Sequence, residues 1–71
     1  MNPINPRKLL HSKWTARNPQ AREKHFMVTD VEFDEAGVVT ACVIEAVLTR
    51  RSMPMHWQDL RNAEVWQQGW K

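Results

Sequence analysis

From Lys24 onward, the apolar positions fall in two runs of β-type composition, separated by the polar turn stretch DEAG at residues 34–37. The flanks, HFMVTDVEF and VVTACVIEAVLTR, are rich in aromatic and β-branched residues and predict a hairpin. A connection ending in Gly37 suits a type I turn closed by a left-handed residue, a conformation glycine adopts without a Cβ penalty. In the first arm Val31 and Phe33 share a parity with Met27, whereas Phe26 and Val28 share the other with Asp30 and Glu32. The apolar face therefore switches near Thr29, as a bulge would make it do. The second arm is apolar on both faces toward its middle, as expected of a central strand in a sheet that curves.

Upstream, RKLLHSKWTA sets Leu10, Ser12, Trp14 and Ala16 on one parity and predicts a short half-buried strand. Residues 1–8 are expected to enter extended, because Pro3 and Pro6 hold their preceding residues out of the helical region. RNPQAREK, polar and carrying Pro19, predicts an exposed loop. Downstream, TRRS makes a turn, and Met53, Met55 and Trp57 alternate with Pro54 and His56 in a further arm. Pro54 has no N–H to give a ladder, so this arm belongs at a sheet edge. The period then changes: Trp66 and Trp70 lie four apart beyond Asn62, a good N-cap, and predict a short helix that persists only if the two indoles dock it. The expected fold is mainly β, a small antiparallel curled sheet or SH3-like open barrel of about four to five strands with a short C-terminal helix. Residues 1–71 form a single small domain in this reading.

A chain of 71 residues has a marginal core, so each large side chain matters. The single cysteine, Cys42, excludes an internal disulfide and a paired-cysteine zinc site. With no secretory signal or apolar span in the leading residues, the expected location is the cytoplasm, with no membrane contact. Charge is unevenly spread: residues 1–26 carry six basic residues against Glu23 alone, net +5, and residues 27–71 carry four against seven acidic ones, net −3. A basic first third suits an anionic partner such as RNA, although it also suits pairing with the acidic hairpin of the same chain or an ordinary solvated face.

Catalytic signatures are missing. His11, His25 and His56 are scattered, Cys42 sits mid-strand among apolar neighbours, and only two glycines exist for a phosphate loop. The expectation is a non-enzymatic protein with no cofactor and no metal site. The residues that fit binding are Lys13, Trp14, Arg17, Arg22 and Lys24 around the first strand and its loop, with Arg50, Arg51 and Trp57 at and after the last hairpin. Cations beside π-faces suit single-stranded nucleic acid, so RNA or a ribonucleoprotein is the first candidate partner. The alternative is an adaptor or homodimer that uses the edge strand near Met53 and Met55, since methionine adapts to irregular partners. Among the indoles, Trp66 and Trp70 are expected to be core anchors, and Trp57 is the one left to face a partner.

NPINPRKLLHSKWTA, KHFMVT, EAVLTRR and the spacing of Trp57, Leu60, Trp66, Gly69 and Trp70 resemble the bacterial tryptophan-rich conserved hypothetical family across essentially the whole chain. That resemblance implies a small domain without assigned activity, cofactor or catalytic residue.

Overall fold

The computed structural model describes residues 1–71. Five strands, β1 (Lys13–Gln20), β2 (Glu23–Phe33), β3 (Val39–Ala46), β4 (Ser52–Pro54) and β5 (Trp66–Gln68), form one antiparallel sheet in the order β4-β3-β2-β1-β5. The sheet does not close: β4 and β5 are its two edges. The curled-sheet expectation holds, and no barrel forms. The only helical segments are 3-10 turns at Pro6–Lys8 and Trp57–Arg61.

The central hairpin follows its sequence pattern closely. Asp34 accepts through its carboxylate from the amides of Ala36 and Val38, and Gly37 takes φ +80°. A left-handed residue with a side chain is strained, so Gly37→Ala is expected to cost roughly 1 kcal/mol, read as a lower denaturation midpoint. Thr29 is the bulge: Val28 pairs with Ile44 and Asp30 with Val43, leaving Thr29 without a partner. That extra residue turns Val31 onto the same face as Val28, which is the face switch seen in the sequence.

Three expectations are corrected. RNPQAREK is not a loop, because β1 runs to Gln20 and turns through Ala21 and Arg22, both at positive φ (54° and 63°) as a type I′ turn requires. Residues 16–19 oppose Lys24 alone, and this wide bulge accommodates Pro19. The leading segment is extended only to Asn5, whose side chain caps the Pro6–Lys8 turn, and Leu10 precedes the strand. Finally, residues 62–70 form no helix. Asn62 does accept from the Glu64 amide, but the turn closes at once, and Trp66–Gln68 pairs with Ala16, Thr15 and Trp14 of β1. A two-turn helix has little stability of its own, whereas a strand here satisfies the open edge of β1.

The core is one layer on one face of the sheet: Trp14, Phe26, Val28, Cys42, Ile44 and Ala46, covered by Leu9 and by Leu60 of the second 3-10 turn. Asn2 ties this cover down, with its side-chain amide donating to the Leu60 and Trp66 carbonyls. The expected edge strand is real: β4 is three residues long, and Met53 packs on the core opposite Ile44. The other face, carrying Lys13, Thr15, His25, Met27, Val43 and Glu45 by strand alternation, has no covering layer of secondary structure.

Candidate nucleic-acid interface

Eleven residues of β2 at about 3.3 Å each account for the long axis of the molecule, 38 Å. The β1–β2 and β3–β4 turns lie together at one end of that axis, where Arg51 and Thr49 both reach Glu23. The β2–β3 turn lies at the other. Charge divides along the same axis. Arg22, Glu23, Lys24, Glu45, Arg50 and Arg51 occupy the first end, flanked by Arg17 and Lys71, whereas Asp30, Glu32, Asp34 and Glu35 occupy the second, so cations outnumber acids at the first end and the hairpin at the second carries acids alone. The basic first third therefore does not pair with the acidic hairpin of its own chain. Glu23–Arg51 is the one salt bridge.

Glu23 is 5% exposed, and its carboxyl is pushed down from 4.5 to about 2, first by the Arg51 hydrogen bonds and then by Thr49, with burial pulling the other way. Because the folded-state value lies below the unfolded one, the pair's contribution is complete above pH 4.5 and disappears as pH falls toward 2. Thermal melts across that window are expected to show the unsubstituted chain losing more of its midpoint than Glu23→Gln does. Parallel curves would remove the pair from the account.

The basic side chains have different duties. Arg51 is committed to Glu23, and the Arg17 guanidinium donates to the Ala63 carbonyl at 2.6 Å, fastening the turn before β5. Arg22, Lys24, Arg50 and Lys71 are exposed and make no ion pair. Arg17, Lys24 and Lys71 rim a shallow groove of about 340 Å³ floored by Thr15, Ala16 and Gln67. Arg22 and Arg50 both stand in the left-handed region, at φ 63° and 61°, where glycine is the ordinary choice. Arg22→Gly and Arg50→Gly are each expected to be neutral or to stabilise by up to roughly 1 kcal/mol, the relief of strain exceeding the added chain entropy. A chemical-denaturation midpoint that falls in both variants would refute that strain.

The aromatic side chains are redistributed relative to expectation. Trp14 is 2% exposed, with its indole N–H bound to Ser12 Oγ at 2.9 Å, and is the floor of the core, so it offers no face to a ligand. Trp57 opens the second 3-10 turn, half-buried under the Arg61 guanidinium, beside Val39, Thr40 and Ala41 at the start of β3, next to the acidic β2–β3 turn. It is not near the basic end. Trp66 does anchor, edge-on to Phe26 at 5.2 Å, but from a strand.

Trp70 is 43% exposed and is the indole that meets a cation of the basic first third. Gly69, at φ +82°, turns the chain so that Trp70 crosses to the uncovered face, where the Lys13 ammonium sits 4.8 Å above its ring and His25 lies 6.0 Å away. Its i, i+4 spacing from Trp66 fits a helix and predicts a core position for Trp70, but the strand at Trp66–Gln68 replaces that helix and leaves the ring outside. Gly69 between two tryptophans was the available sign of a bend.

Cys42 is buried, and burial, helped by the charge of Asp30, pushes its thiol up, so it is a packed hydrophobe and a poor nucleophile. No three His, Cys, Asp or Glu side chains come together as metal ligands would. No helix is long and apolar enough to cross a membrane.

Residues 12–71 match the family model described as Tryptophan-rich protein (DUF2389). The chain belongs to this tryptophan-rich family. No curated protein and no solved structure matches it. In this DUF2389 member the tryptophans do unlike work: Trp14 fills the core, Trp57 and Trp66 brace its margins, and Trp70 lies on the outer face. Leu9, wholly buried, lies before the matched region and completes the same core.

Proposed function

We propose that this protein is a non-enzymatic, cytoplasmic binding module that contacts RNA, free or within a ribonucleoprotein, through its basic end. The observation that carries the proposal is the separation of charge along the sheet, which leaves Arg22, Lys24, Arg50 and Lys71 unpaired at one end and puts the acidic cluster at the other. A polyanion approaching such a molecule is steered to one end and repelled from the other.

The adaptor or homodimer alternative has less support. Met53 and Met55 are half-buried against the core, and Pro54 withholds one of the outward donors that strand addition needs. Met53→Asp is therefore expected to lower the thermal midpoint, with light scattering still giving the mass of a monomer.

The test is fluorescence anisotropy of a labelled mixed-sequence RNA at rising salt. Four phosphate contacts predict a slope of log K against log salt of roughly −3. Absence of binding, or binding indifferent to salt, would overturn the proposal.

A further inference from the structure

We infer that Trp70 is a preformed base-stacking platform, and that the RNA taken by this face is single-stranded. The inference rests on the RNA-binding reading above, but a different observation carries it: Trp70 is exposed and yet rigidly held. The Gly69 amide donates to the Lys13 carbonyl at 2.8 Å, and the Thr15 hydroxyl donates to the Gly69 carbonyl at 2.7 Å while accepting from the Lys71 amide at 2.9 Å. His25 Nε2 lies 3.0 Å from the Lys71 carbonyl, which can only accept, so this ring nitrogen carries the proton and donates. The indole N–H of Trp70 donates to the Phe26 carbonyl at 3.0 Å. Residues 69–71 are thus laced to β1 and β2 on both sides of the ring.

An indole 43% exposed adds little to the core that these contacts serve. Its fixed orientation matters for a ligand, because a platform already in place loses little freedom on binding. Lys13 at the ring, and Arg17, Lys24 and Lys71 around the adjoining groove, put cations within a nucleotide's reach of a stacked base. A base is free to leave its neighbours and lie on an indole only in a single strand; a duplex keeps its bases stacked inside and presents phosphates and groove edges.

The experiment compares a labelled RNA strand with the same strand annealed to its complement, using the full chain and two variants. Trp70→Phe keeps a smaller π-face, Trp70→Leu keeps an apolar side chain without one, and both lose the indole hydrogen bond. The single strand is expected to bind more tightly than the duplex. Trp70→Leu is expected to lose roughly ten-fold of single-strand affinity with the duplex unaffected, and Trp70→Phe to retain most of it. Equal affinities of the two variants for the strand, or equal losses on strand and duplex, would overturn the platform while leaving salt-sensitive RNA binding in place. No salt-sensitive binding to either RNA would overturn the RNA-binding reading, and the platform with it.

Discussion

Replacing Trp14 with alanine is expected to abolish cooperative folding. Truncating a buried tryptophan costs about 3–5 kcal/mol, and a small domain has a total stability toward the lower end of about 5–15 kcal/mol. Only 10 of the 71 residues are buried, and Trp14 has the largest side chain among the fully buried ones. It pairs across the strands with Phe26 on one side and Gln68 on the other, so the cavity would open between the central strand β2 and the edge strand β5. Trp66→Ala is expected to cost less, since that ring is half-exposed at the edge strand. Circular dichroism melts order the two. A Trp14→Ala chain with a sharp transition near the unsubstituted midpoint would show that the core lies elsewhere.

The second large effect concerns binding. Reversing Arg22, Lys24 and Arg50 together to glutamate is expected to reduce RNA affinity roughly hundred-fold or more and to flatten its salt dependence by about two units of slope. These residues hold no buried contact, so the thermal midpoint should change little. Net charge alone does not explain the expectation, and a control separates the two ideas. Glu35→Lys at the opposite turn raises the net charge but lies at the far end of β2, so it should not restore the triple variant. Restoration would mean that bulk attraction, and no particular surface, governs binding.

The central hairpin was the most legible part of the chain because its signals are local: turn chemistry at Asp34 and Gly37, and a change of parity at Thr29. The segments that went astray depend on distant partners. Residues 63–70 have a spacing compatible with either period, and the open edge of β1, some fifty positions away, decides for a strand. Ala21 and Arg22 carry no glycine to announce a type I′ turn, so the hairpin at RNPQAREK was hidden in a polar stretch. For the candidate surface, the cations were visible as a basic first third, but their separation from the acids is a product of topology. Sorting the indoles required the sheet itself, since the buried Trp14 and the exposed Trp70 both follow polar or small neighbours.

The central claim is that RNA lies across Trp70 and the basic end. Its most direct test is a proton–nitrogen correlation spectrum of the labelled protein during titration with a single-stranded RNA, read at the four indole N–H signals. The account predicts that the Trp70 indole shifts together with the backbone amides of Arg22, Lys24 and Arg50, while the Trp14 indole stays in place. Movement of the Trp57 indole and the amides near Met53 and Met55, with Trp70 unmoved, would contradict it.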